Sequence, residues 1–204
     1  MITPDDHEAL AGAFGVLGRL HRRAPNAEEL DTLRSLADEW PLADTADARR
    51  GIAAWLASAA ARETTEAVTA DHNRLYGVTA KALVAPYESV HRGDDGLVFD
   101  EQTLQIRQAY RQLGLQAPHL GREPDDHVGL EFDFLSQAFL RAAEAEDPAP
   151  VLGVVSTFLA DHILAWVPGL LTRVVEHAQT QFMVGVALLS RGACVSAEEM
   201  LQPQ

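Results

Sequence analysis

Apolar residues recur at intervals of three and four along almost the whole of this sequence, and sustained alternation is absent. Side chains three and four apart share one face of a helix, whereas a strand needs a period of two. The spacing therefore predicts an all-α protein. A chain of 204 residues can bury roughly 70% of its unfolded surface, so its core needs no metal or disulfide. It suits a single globular helical domain over residues 1–204.

The first helix is expected from about Asp5 to Arg22, with Leu10, Phe14 and Leu17 on its apolar face. Asn26 with Glu29 three residues on reads as a capping box for a second helix. That helix carries Leu30, Leu33, Ala37 and Trp40, and Pro41 stops it. Asp44 or Thr45 opens a third, with a break near Glu63 before a stretch running to Tyr76. Residues 84–99 hold Pro86, Gly93 and Gly96 and read as a loop. Asp100 is placed to cap the next helix, and Gly114 to end it in a left-handed conformation. A second loop covers 116–123, after which Pro124 suits the first turn of a helix. Asp147-Pro148-Ala149-Pro150 is a break, and Pro168 restarts a helix expected to run through Leu189. The loops divide the chain into possible lobes at 1–83 and 100–204, with a groove between them.

Charge narrows the partners. The formal net charge is −14, which argues against a nucleic-acid backbone or an anionic membrane as the binding surface. Half of it lies in residues 123–147, where eight acids face Arg141 alone. Cys194 is the only cysteine, so an internal disulfide and a Cys-x-x-Cys redox pair are excluded. The first residues carry neither a basic start nor an apolar run, and the longest clean apolar run, Phe182 to Leu189, is too short to span a bilayer. A cytoplasmic protein without stable membrane insertion is expected.

Motifs of known enzyme chemistry are missing: no Gly-rich phosphate loop, no Gly-x-Ser-x-Gly and no His-Glu-x-x-His. One Glu-x-x-His occurs, at Glu88–His91, and Asp-His pairs occur at Asp71, Asp126 and Asp161. A bundle metal site needs more copies of that spacing. A metalloprotein using His91, His127, His162 and nearby carboxylates is the alternative reading. His162 and Trp166, four residues apart, read as a core histidine packed against a tryptophan. Glu123-Pro124-Asp125-Asp126-His127 has two readings. As local structure, the acids cap a helix over a solvated histidine. As a site, clustered carboxylates and an imidazole at a helix end receive arginine side chains of a peptide.

Three stretches resemble the TorD/DmsD family of redox-enzyme maturation chaperones. The central one joins Tyr110-Arg111-Gln112-Leu113-Gly114-Leu115 to Glu123-Pro124-Asp125-Asp126-His127-Val128-Gly129-Leu130-Glu131-Phe132-Asp133-Phe134-Leu135. It is similar to the family's Glu-x-x-Asp-His core followed by Glu-x-x-Phe. Leu75-Tyr76-Gly77 with Pro86-Tyr87-Glu88-Ser89-Val90, and Phe158 to Pro168, resemble two further family segments. The resemblance covers about residues 70–190. It implies a helical, cytoplasmic, non-enzymatic chaperone without a cofactor of its own. It implies, as partners, the twin-arginine leader and apo catalytic subunit of a molybdopterin oxidoreductase, with assistance to cofactor insertion and a delay of export. Monomers and domain-swapped dimers both occur in the family. The leader-binding positions it implies are Glu123, Pro124, Asp126, His127 and Glu131, with Tyr87, Ser89 and Trp166 beside them.

Overall fold

The computed structural model describes residues 3–77, 82–93, 101–116 and 124–202, and these are all-α. Helix α1 (Pro4–Arg22) starts one residue earlier than expected. Thr3 Oγ1 accepts from the Asp6 N–H, and the Asp6 carboxylate accepts back from the Thr3 N–H. Asn26 and Glu29 form the expected capping box on α2 (Ala27–Ser35). A 3-10 turn, Ala37–Glu39, carries the chain from there to Trp40. Thr45 caps α3 (Ala46–Ala60), and Thr64 caps α4 (Thr65–Tyr76).

The second half holds α5 (Glu88–Arg92), α6 (Glu101–Gln112), α7 (Val128–Glu144), α8 (Ala149–Phe158), α9 (Leu164–His177) and α10 (Gln181–Leu201). A π turn, Leu159–Ile163, joins α8 to α9 without a break. By length and composition the stretch Ala149–His177 is apolar enough to cross a membrane. Yet Phe158, Ile163, Val167, Leu170 and Val174 on it are built into the core.

Four expectations are corrected. The 84–99 region is not all loop, because Asp126 nucleates α5 inside it. Pro124 stands ahead of α7 rather than in its first turn, since the cap is His127. Pro168 lies inside α9. It stands five residues after the end of the π turn. The helix expected through Leu189 is interrupted at residues 178–180. There the Asp71 carboxylate accepts from the N–H groups of Gln179 and Thr180 and from the Thr180 hydroxyl, all within 2.9 Å.

The two halves of the chain share one core. Helix α1 packs along α7, and α3 along α10, so each pairing joins an early helix to a late one. Phe14 meets Phe132 edge-on at 5.2 Å and Phe139 in a stack at 6.0 Å. Trp55 stacks on Phe182 at 5.4 Å and donates to the Phe182 carbonyl. The α1–α7 crossing is close enough to require glycine on both helices. A Cβ on Gly129 would lie 2.5 Å from the Gly18 carbonyl oxygen, and one on Gly18 2.8 Å from the Gly129 oxygen. Gly114 has φ +62°, the left-handed end expected for α6.

Candidate functional site

The segment before α7 and the segment containing α5 meet as two short extended pieces. The Val128 N–H donates to the Pro86 carbonyl and the Glu88 N–H to the Asp126 carbonyl, both at 2.9 Å. This isolated antiparallel bridge pairs Tyr87 with His127, and their rings meet edge-on at 5.2 Å. Asp126 fastens the junction. One carboxylate oxygen accepts from the Ser89 N–H at 2.8 Å, which closes the first turn of α5. The other accepts from the Thr103 hydroxyl at 3.1 Å, on α6. Asp126 and Ser89 are fully buried. Asp125 is buried too and pairs with Arg107.

His127 begins α7. Its Nδ1 accepts from the Gly129 N–H at 2.9 Å, so that nitrogen carries a lone pair and the ring is neutral. Burial, then the Arg22 and His72 charges, pull this imidazole down to about 3. One helical turn on, Glu131 is fully buried. Its Oε2 accepts from Trp166 Nε1 at 3.1 Å, while Oε1 has no hydrogen-bond partner among the described residues. Burial, and the neighbouring Glu88 and Asp126 carboxyls, hold Glu131 well above the usual carboxylate range. The protonated acid is therefore favoured there over the carboxylate.

Glu88 joins the cluster from α5. It pairs with Arg92 and accepts from His162 Nδ1 at 2.9 Å. Arg92 donates to the Asp161 carbonyl at 2.7 Å. His91 bonds the Ala85 carbonyl through Nε2 and lies against Trp166, ring centroids 5.1 Å apart. His162 lies on the π turn and Trp166 just after it, one bonding Glu88 and the other Glu131.

Six residues of the expected site thus belong to one knot, Asp126, His127, Glu131, Tyr87, Ser89 and Trp166, and Pro124 is buried two residues before Asp126 in the chain. Glu123 lies outside the described residues. The knot differs in orientation from the sequence reading. The carboxylates of Asp125, Asp126 and Glu131 turn inward onto partners in the chain, and His127 is not simply solvated. Tyr87, Val90, His91 and His127 are half-buried and form its rim, with Arg92 and Asp161 exposed beside them. Among the described residues of 123–147 the exposed acids are Glu144, Glu146 and Asp147, at the far end of α7.

Glu88 and His162 were read from sequence as a possible metal motif and a core histidine. The overlooked signal is a lone Glu between apolar Val84 and Val90, which must find a partner if buried. His91, His127 and His162 each bond a different group, and among the described residues no three His, Cys, Asp or Glu side chains converge as metal ligands. The metalloprotein reading finds no support there.

The chain is similar to known proteins in sequence and in fold. Chaperone protein TorD of Vibrio parahaemolyticus is 25% identical over 130 residues, covering 62% of this chain and 60% of that protein. The protein of the same name from Vibrio vulnificus strain YJ016 is 26% identical over 137 residues, covering 66% and 64%. The chain thus spans about three fifths of the length of these curated relatives. A crystal structure described as a redox enzyme maturation protein, from Archaeoglobus fulgidus, shares the fold with a TM-score of 0.55, at 18% identity and 94% coverage of both chains. The family model described as nitrate reductase delta subunit matches residues 41–172, more than half of the sequence and all of the knot. The chain belongs to that family, the TorD/DmsD family of redox-enzyme maturation chaperones.

Proposed function

We propose that this protein is a cytoplasmic maturation chaperone. It binds the twin-arginine leader and the apo catalytic subunit of a molybdopterin oxidoreductase, assists cofactor insertion and delays export. Its work is binding and timed release, with no bond made or broken. The observation that carries this reading is the knot itself. Buried Asp126 holds the α5 segment against the start of α7, so that the half-buried Tyr87 and His127 rings meet at the rim, while Glu131 on α7 bonds Trp166, the ring against which His91 lies.

That rim carries aromatic and apolar surface, while a leader is basic first and apolar after. Apolar contact at the rim supplies most of the affinity. Exposed carboxylates such as Asp161 act on orientation and on-rate. In this reading Asp126, Glu131, Ser89 and Trp166 serve leader binding by positioning the rim.

Calorimetric titration of the full chain with a synthetic twin-arginine leader tests the proposal. Tyr87→Ala and His127→Ala should each weaken binding by about tenfold, a loss of roughly 1.4 kcal/mol typical of a significant interface side chain. Unchanged affinity in both variants would remove the rim as the site. A chain that co-purifies with an apo catalytic subunit yet ignores its leader would retain the chaperone and lose the leader mechanism.

A further inference from the structure

On the face formed by α2 and the end of α3, away from the knot, lies an open cleft of about 420 Å³ lined by Asp31, Arg34, Ser35, Ala59, Arg62 and Glu63. Arg34 is its unusual member. Only 8% of its surface is exposed, and neutral oxygens alone hold its guanidinium. Nε and Nη2 donate to Ser58 Oγ at 3.1 and 2.7 Å, and Nη2 also to the Glu63 carbonyl at 2.9 Å.

The Glu63 carboxylate reaches Arg34 only through the shared Ser58 hydroxyl. It accepts from the Ser58 hydroxyl at 2.6 Å and from the N–H groups of Gln181 and Phe182 at 2.6 and 3.1 Å, closing the N-terminus of α10. Among the described residues Arg34 makes no ion pair, and its Nη1 has no acceptor. A cation so deeply buried normally has an anion against it.

A second cation borders the cleft. Arg62 follows α3 with φ +52°, the one described non-glycine residue with a positive φ. Glycine is the usual residue in that backbone state after a helix. Arginine here places an exposed guanidinium at the cleft's lip at the expense of backbone comfort.

We propose that this cleft binds an oxyanion, a phosphate or carboxylate group, gripped by Arg34 Nη1 from the floor and Arg62 from the rim. A guanidinium matches both anions through paired N–H donors. The volume leaves room for a small organic body behind the anion, and Asp31 offers that body an acceptor for a hydroxyl or amine.

The test uses the full chain, nitrogen-15 labelled, at low ionic strength. Its Arg34 Nε–H resonance is followed during separate titrations with sodium phosphate, sodium acetate and sodium chloride. A saturable shift with phosphate or acetate, absent with chloride at matched ionic strength, is expected, and the tighter of the two identifies the anion. Arg62→Gly should weaken that binding by about tenfold while raising the melting temperature, because glycine suits the left-handed backbone. The proposal is overturned by equal shifts in all three salts, by no saturation, or by Arg62→Gly retaining full affinity.

Discussion

Replacing Asp126 with alanine separates a scaffold role from direct contact with a ligand. The carboxylate accepts two hydrogen bonds in a buried place, from the Ser89 N–H and the Thr103 hydroxyl. Ser89 is 0% exposed and Thr103 2%, so water cannot replace the lost acceptor without opening the junction. A stranded buried donor costs about 1–3 kcal/mol. The backbone N–H cannot move and belongs at the upper end of that range, while the hydroxyl can rotate and belongs at the lower. Together they give about 2–4 kcal/mol. In a domain of this size each kcal/mol moves the melting temperature by about 2–4 °C, so Asp126→Ala should lower it by about 5–15 °C. Asp126→Asn keeps one acceptor and should lose about half as much. Calorimetry with urea unfolding followed by far-ultraviolet circular dichroism measures both. An Asp126→Ala protein that melts within a degree of the parent and loses only leader affinity would refute the inward orientation and restore Asp126 as a contact residue.

Gly129→Ala should destabilise by about 1–3 kcal/mol, since its Cβ would meet the Gly18 carbonyl at 2.5 Å and force α1 from α7. An unchanged urea midpoint would show that the crossing has slack. Glu131→Gln should raise stability at pH 8, because the raised acid is stabilising below its unfolded value of about 4.3 and loses that contribution as pH climbs through its folded value. A lower melting temperature than the parent at pH 8 would count against the upward shift of Glu131. The fully buried His21 imidazole and the half-buried His127 imidazole titrate the other way: each is pulled down to about 3, chiefly by desolvation, against about 6.5 when unfolded. The unfolded chain then binds more protons between those values, so their contribution is full above pH of about 6.5 and falls as pH falls toward 3. Urea midpoints in the Glu131→Gln background, where the opposing titration is absent, should fall between pH 7 and pH 5. Equal midpoints would contradict the histidine assignment.

Much of the helical layout was legible in the amino-acid order because its causes are local. The Asn26–Glu29 box, the Thr45 cap, the Asp147–Pro148 break and the left-handed Gly114 each depend on neighbours within a few residues. The spacing of Leu10, Phe14 and Leu17 likewise names a buried face whatever covers it. The residues of the knot were legible as well, through their resemblance to a family pattern.

Their orientation was not legible. Asp126 bonds a residue 37 positions away and another 23 away, and Glu88 finds His162 74 positions away. No periodicity shows whether such a carboxylate meets water or a buried donor. A negative stretch of sequence became, in three dimensions, partly an internal hydrogen-bond network. Tertiary packing alone also decided that His127 caps α7, that His162 on the π turn meets Glu88, and that Arg34 lies buried without a direct ion pair among the described residues. Local rules set which residues form helices; where a polar side chain points depends on which distant donor or acceptor the fold brings to it.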